Sequence, residues 1–108
     1  MWTKKGGEIV QEVYTLDQIK RRLHPVLKKN HVRKATIFGS YSKGLATSGS
    51  DIDILVDSGL HGLSFFGLLE DVCQSLERDV DLIDTADIIP NSKIDHEIKK
   101  TGIVIYEQ

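Results

Sequence analysis

The chain has 108 residues and a formal net charge of −2, values that are typical of one globular domain with a modest core. The slightly negative charge disfavours a plain nucleic-acid-binding domain, and no apolar run is long enough to span a bilayer or to act as a secretory signal. The single cysteine, Cys73, excludes an internal disulfide and is typical of a protein from the reducing cytoplasm.

Apolar periodicity and turn residues divide the chain into alternating short helices and strands. Thr15 is a predicted N-cap, and Pro25 is expected to kink the helix that follows. Residues 1–14 are predicted to be an N-terminal arm, either loose or forming a short edge strand, ahead of a domain over 15–108. The predicted elements are a helix over 16–27, a strand over 32–38, a turn or short helix over 40–45, a strand over 51–57, a helix over 63–77, a strand over 79–83, a helix within 88–100 with Gly102 as its C′ residue, and a strand over 103–106.

The alternation of helices with short strands predicts an α/β layer built on a small mixed sheet. The segment between the first two strands is too short for an ordinary parallel crossover, which needs room for a helix. We therefore expect these two strands to be antiparallel neighbours.

Two aspartates open the second of these strands, in the order Asp51, Ile52, Asp53. Side chains alternate between the faces of a strand, so Asp51 and Asp53 point the same way. Adjacent carboxylates repel each other unless a divalent cation lies between them. Upstream, Gly39 and Ser40 begin a loop whose backbone N–H groups and hydroxyls suit a phosphate. The alternative for such a pair of aspartates, taken alone, is a solvated strand end. The combination indicates nucleotide chemistry.

The spacing from Gly39-Ser40 to Asp51-x-Asp53 resembles the signature of the DNA polymerase β-like nucleotidyltransferase superfamily. The short chain resembles its minimal branch, the MNT proteins, from about Thr15 to the C-terminus. The resemblance implies an α/β (α+β) fold with the polymerase β-like core, a small mixed sheet flanked by helices. It also implies the role of an antitoxin paired with a HEPN-domain toxin, as in type VII-like toxin–antitoxin systems.

A third carboxylate is implied by the same resemblance, on the third predicted strand. The family places it in a Val-Asp-Leu context, which selects Asp81. Asp79 shares a face with Asp81 by alternation but lies nearer the start of the strand, and it stays open as the alternative. Asp84 is expected to lie in the loop that follows.

Three carboxylates suit two magnesium ions bound together with ATP. Two ions about 3.5–4 Å apart hold the attacking and leaving oxygens of an in-line displacement at phosphorus. Magnesium prefers oxygen ligands from carboxylates, phosphates and water. We expect Asp51 and Asp53 to hold both ions, and Asp81 to hold the catalytic ion and to help take the incoming proton.

Three loop residues are candidate nucleotide ligands. Gly39 would let the backbone approach the phosphates closely, and Ser40 would add a hydroxyl hydrogen bond. Lys43 is expected either to meet a phosphate or to be an exposed loop lysine. Tyr41 is expected either to pack under the nucleotide or to cover the core.

Other chemically reactive residues give weaker signals. Cys73 is interpreted as a core residue, and the adjacent rings of Phe65 and Phe66 cannot both be buried on one helical face, which favours a contact beyond the core. The histidines show no metal-ligand spacing and are expected at the surface or in caps: His24, His31, His61 and His96.

Two functional hypotheses follow from these residues and the resemblance. In the first, the protein transfers AMP from ATP, with magnesium, to a protein hydroxyl. The resemblance implies a tyrosine of a HEPN toxin as acceptor, a cytoplasmic location, and no direct contact with nucleic acid or membrane. In the second, the protein neutralises its partner by occlusion, without catalysis. The retained Gly-Ser pair and the three aspartates argue against a vestigial site.

Overall fold

A computed structural model describes residues 4–5, 8–9 and 13–108. Within these ranges the helices and strands follow the predicted order, with ends shifted by a residue or two. They are β1 (Lys4–Lys5), β2 (Glu8–Ile9), α1 (Leu16–Lys29), β3 (Lys34–Phe38), β4 (Ile52–Asp57), α2 (Leu63–Leu76), β5 (Val80–Asp84), a 3-10 turn (Thr85–Asp87), α3 (Lys93–Thr101) and β6 (Ile103–Glu107).

Part of the predicted N-terminal arm, residues 1–3, 6–7 and 10–12, lies outside the described residues. The described parts β1 and β2 pair antiparallel with each other in a sheet of their own, so they are not an edge strand of the main sheet. Tyr14 ties the start of the domain to α2, because its hydroxyl donates a 2.7 Å hydrogen bond to the carbonyl of Leu76.

The main sheet has the strand order β5-β4-β3-β6. The pairs β3/β4 and β3/β6 are antiparallel and the pair β4/β5 is parallel, which makes the sheet mixed. The predicted antiparallel pairing of the first two strands of the domain is therefore confirmed. The helix α2 forms the crossover that returns the chain from the end of β4 to the start of β5.

The side chains of β4 alternate between a buried face, which packs on the core, and a half-buried face on the other side of the sheet. Ile52, Ile54 and Val56 are fully buried, and the residues between them are half-buried on the other face. The core face packs against α1 and α2 through their buried apolar residues: Ile19, Leu23, Leu27, Leu68, Val72 and Leu76. The helix α3 lies over the other face, where a Cβ on Gly102 at its end would come within 2.9 Å of the Thr36 side chain.

The helix α1 is capped at its N-terminus and continues past a proline. Thr15 and Gln18 form a capping box, with hydrogen bonds of 3.1 Å from the Gln18 N–H and 2.9 Å from the Thr15 N–H, which satisfies two donors at the helix start. The helix runs through Pro25 to Lys29. Pro25 is exposed, so its ring lies on the solvent side and does not end the helix.

One open alternative is decided and two local expectations are corrected. Residues 40–45 were expected to form a turn or a short helix, and they form turns, since Gly44 has a φ of +72°, outside the helical range. Gly102 is the C-cap of α3 in an extended conformation, with φ −65° and ψ 141°, rather than a left-handed C′ residue. Asp84 is the last residue of β5, not a loop residue.

Three side chains of α2 were the subject of expectations from the sequence. Cys73, which was expected in the core, is only half-buried. Phe65 packs against the core while Phe66 stays 65% exposed, so the two adjacent rings do separate as the helical geometry requires.

Candidate active site

The register of the parallel pair β4/β5 brings two of the predicted carboxylates together. Asp53 is paired with Asp81, and neighbouring strands lie about 4.8 Å apart with paired side chains on the same face. Ile52 pairs with Val80, so Asp51 and Asp79 both stand just before the paired segments. The geometry therefore favours Asp81 over Asp79 as the partner of Asp53.

The third acid of that segment, Asp84, has a structural role. It is buried on the opposite face of β5 from Asp81. Burial raises its pKa, but hydrogen bonds from the Ser58 hydroxyl and from the backbone N–H groups of Ala86 and Ser58 outweigh burial and hold the pKa below its ordinary value. Asp84 thus fixes the start of the turn after β5 and does not take part in the candidate site.

Asp53 is the electrostatic centre of the candidate site. Its pKa is raised from its ordinary value, first by burial and then by the negative charges of Asp81, Asp51 and Glu97. A carboxyl group in such a setting resists ionisation, and a bound cation would relieve the repulsion. The site therefore has an excess of negative charge that a divalent cation would balance.

The donor set fits magnesium. Asp51, Asp53 and Asp81 offer carboxylate oxygens, the ligand type that magnesium prefers. Within the described ranges, however, no three His, Cys, Asp or Glu side chains are gathered tightly enough to hold an ion as they stand.

Gly39 lies directly against the central carboxylate. Phe38 pairs with Asp53 across β3 and β4, so the residue after Phe38 passes over the Asp53 side chain. A Cβ on Gly39 would lie 2.2 Å from Oδ2 of Asp53, and the φ of Gly39 is +74°. Any larger residue there would displace the Asp53 carboxylate, and this close approach joins the Gly-Ser loop to the carboxylates.

The loop after Gly39 is held by its own backbone. The Lys43 N–H donates to the Gly39 carbonyl at 3.3 Å, and the Leu45 N–H donates to the Ser40 carbonyl at 2.9 Å. The Ser42 hydroxyl also donates to the Gly39 carbonyl, at 2.8 Å. Ser40 is half-buried at the start of this turn, beside Gly39 and therefore close to Asp53.

Two residues of the loop have contacts with other elements. Tyr41 is buried at 5% exposure and belongs to the core, where its hydroxyl accepts a 3.2 Å hydrogen bond from Arg78. Lys43 is not an isolated loop lysine, because its ammonium contacts the carboxylate of Glu97 on α3 at 2.7 Å. Its contact with a phosphate stays a prediction.

Residues 21–108 match the family model described as polymerase beta, nucleotidyltransferase. The chain belongs to this family. It is 37% identical over 78 residues to a predicted protein adenylyltransferase of Methanocaldococcus jannaschii, a match that covers 69% of this chain and 83% of the relative. The family membership and this relative identify the protein as a nucleotidyltransferase.

Solved structures give the same fold. A toxin–antitoxin crystal structure with AMP-PNP contains a chain with 26% identity and a TM-score of 0.68, over 82% of this chain and 73% of that one. A complex of a tri-AMPylated Shewanella oneidensis HEPN toxin with an MNT antitoxin contains a chain with 22% identity and a TM-score of 0.63, over 86% of this chain and 73% of that one. None of the helices in the described part of this nucleotidyltransferase has the length and apolar character needed to cross a bilayer.

Two residues near the site were not singled out from the sequence of this nucleotidyltransferase. Arg78 is buried at 6% exposure, with its guanidinium 4.6 Å above the ring of Tyr14, and it supports the loop through Tyr41. Glu97 reaches Lys43 across 54 positions of sequence. Local periodicity carries no signal for either contact; only the placement of α3 over the open face of the sheet brings Glu97 to the loop.

Proposed function

We propose that this nucleotidyltransferase transfers AMP from ATP, with magnesium, to a hydroxyl of a partner protein, and that it acts in this way as an antitoxin. The observation that carries the proposal is the pairing of Asp53 with Asp81 on one face, with Gly39 closed against Asp53. The predicted protein adenylyltransferase among its relatives supports a protein acceptor. The tri-AMPylated HEPN toxin in a structure of the same fold supports a toxin as that acceptor.

Each residue of the site has a role in this reaction. Magnesium, when bound, supplies the positive charge that lets Asp51, Asp53 and Asp81 stand ionised together and that offsets the triphosphate. Gly39 allows the backbone to approach the phosphates, and Ser40 offers a hydroxyl beside it. The ammonium of Lys43 lies at the edge of the site, within reach of a multiply charged ligand.

The transfer itself is a displacement at the α-phosphorus. The acceptor oxygen forms a bond to phosphorus, the bond to the bridging oxygen breaks, and pyrophosphate leaves with that electron pair. The hydroxyl proton passes to a carboxylate, for which Asp81 is placed because its side chain is exposed beside the half-buried Asp53. That exposure also lets an acceptor as large as a protein approach from solvent. We propose a tyrosine of a HEPN-domain toxin as this acceptor.

The test uses the purified protein, α-labelled ATP, magnesium and the protein encoded next to it. We expect label on the neighbour protein, and loss of that label in the double variant Asp51→Asn and Asp53→Asn, with the complex still formed. Asp57→Asn is the matched control, because Asp57 lies on the same strand and the same face as Asp53 but pairs with Arg33 at 3.1 Å. It should transfer label at the rate of the unchanged protein.

Protection against the toxin separates catalysis from occlusion. If the double variant binds the toxin and no longer protects cells, transfer of AMP is the neutralising event. If it binds and still protects, neutralisation is by occlusion and the proposed antitoxin chemistry is wrong.

A further inference from the structure

The contact between Lys43 and Glu97 joins the loop that starts at Gly39 to the helix α3. Lys43 belongs to the loop that starts at Gly39, and Glu97 belongs to α3, which lies over the same face of the sheet as Asp53. The Nζ to Oε1 distance is 2.7 Å, and the two side chains are 40% and 31% exposed. Glu97 is also close enough to Asp53 for its charge to act on that carboxylate. Glu97 therefore links the ammonium of Lys43 to the group of acids around Asp53.

The helix α3 is packed less deeply than α1 and α2. None of its residues is buried, although Gly102 at its end lies close to Thr36 of β3. The side-chain hydrogen bonds of Asp95 and Thr101 stay within the helix and its N-terminal cap. The bond from Glu97 to Lys43 leaves α3 and reaches the loop. Loss of this contact would therefore remove one attachment of α3 to the rest of the domain.

On the basis of the proposed function, we infer that Glu97 is a positioning residue that holds the ammonium of Lys43 before nucleotide binds and gives it up to the triphosphate. Binding of nucleotide would then release α3 from the loop. The face that α3 covers would become more mobile at the moment when the acceptor must approach.

The strengths of the two contacts open to Lys43, with Glu97 and with the triphosphate, favour this exchange. A half-exposed Lys–Glu pair changes an equilibrium constant by about fivefold at most. A triphosphate carries several negative charges and offers its oxygens to the same ammonium, so it competes well with one carboxylate. Glu97 therefore weakens nucleotide binding slightly, both by holding Lys43 and by adding one more negative charge near the site.

The experiment measures the affinity for α,β-methylene-ATP with magnesium by calorimetry, since that analogue cannot be cleaved at the bond that AMP transfer breaks. The variants are Glu97→Gln, Lys43→Met and the double variant. We expect Glu97→Gln to bind about two- to fivefold more tightly and Lys43→Met to bind more weakly. In the double variant, the change at Glu97 should have a smaller effect than it has alone, because only the charge repulsion of Glu97 remains once the ammonium that it held is gone. Glu70→Gln, on the exposed side of α2, removes the same charge as a control and should leave the affinity unchanged.

Amide hydrogen exchange provides a second measurement that does not depend on affinity. In the unchanged protein, exchange in α3 should become faster when the analogue binds. In Glu97→Gln it should be fast with and without the analogue.

Several results would overturn the inference. It is wrong if Glu97→Gln binds the analogue equally or more weakly, or if it tightens binding just as much in the Lys43→Met background, since charge repulsion alone would then explain the effect. If the unchanged protein transfers AMP and these outcomes are found, the inference fails and the proposed function stands. If the unchanged protein does not bind the analogue at all, both fail.

Discussion

The contact between Gly39 and Asp53 makes a strong prediction for Gly39→Ala. The new Cβ would lie 2.2 Å from Oδ2 of Asp53, whereas ordinary contacts begin at 3.4 Å. The nearest atom is the end of a flexible side chain, so the carboxylate would move by roughly 1 Å while the backbone stays in place. A displacement of that size in a catalytic group costs about 10²-fold in rate.

The stability of this variant should fall by a smaller and separate amount. Gly39 has a φ of +74°, and an alanine in the left-handed region costs roughly 1–2 kcal/mol. For a domain of this size each kcal/mol corresponds to a fall in Tm of roughly 4–8 °C. The protein should remain folded at room temperature, so the loss of activity would be measured on native molecules.

Gly62→Ala is the matched control for the strain. Gly62 has a φ of +56°, with no atom within 4 Å of the added Cβ. It begins α2, at the opposite end of β4 from Asp53. Both variants are compared by thermal melting and by the rate of label transfer from α-labelled ATP. We expect Tm to fall in both variants, by at least as much in Gly62→Ala because its ψ of −129° lies in a region that glycine almost alone adopts, and activity to fall in Gly39→Ala alone. A Gly39→Ala protein that transfers AMP at the unchanged rate would refute the argument that this approach positions Asp53.

Three further predictions concern the aspartates and the buried arginine. The native pKa of Asp53 is raised, so the stability that this residue contributes is present at low pH and is lost as pH rises from the ordinary value of 3.8 through the raised pKa. Without magnesium, Asp53→Asn should therefore have a higher urea midpoint than the unchanged protein at about pH 7. The difference should shrink towards about pH 4. Asp84→Ala should lower the free energy of unfolding, measured by urea denaturation, by about 1–3 kcal/mol because it leaves the buried Ser58 N–H without its acceptor. Asp81→Asn, at an exposed position, should change the free energy of unfolding by about 0.5 kcal/mol or less and abolish label transfer. Tyr41→Phe removes the acceptor for the Arg78 guanidinium. It should lower the free energy of unfolding, measured by urea denaturation, by about 1–3 kcal/mol. A variant as stable as the unchanged protein would contradict the role given to that bond.

The candidate site could be predicted from sequence where it depends on local geometry. Alternation along one strand places Asp51 and Asp53 on one face whatever the rest of the fold does. The choice between Asp79 and Asp81 is different, because it depends on the register of two strands that α2 separates. The resemblance favoured Asp81, and the pairing of Asp53 with Asp81 gives the physical reason.

The fold was predicted best in its elements and least well in its turns. Helical periodicity located α1 and α2 because tertiary packing uses the same apolar stripe that defines the pattern. The segment 40–45 was ambiguous: the bond from the Lys43 N–H to the Gly39 carbonyl has the i to i+4 spacing of a helix. The bond from the Leu45 N–H to the Ser40 carbonyl spans five residues, and the conformation of Gly44 prevents continuation. The pair Lys43–Glu97 could not be predicted at all, because it depends on how α3 is laid across the sheet.

The electrostatic settings of the aspartates distinguish Asp53 from the others without reference to the motif. Asp84 and Asp95 each accept hydrogen bonds from backbone N–H groups and have lowered pKa values, and Asp57 is paired with Arg33. These carboxylates are balanced by donors or cations of the protein itself. Asp53 instead faces Asp81, Asp51 and Glu97, and its pKa is raised. A protein keeps such an unfavourable cluster on a rigid strand when a ligand supplies the missing positive charge. The electrostatics of the fold therefore select the same residue that the spacing of Gly39 and Asp53 indicates.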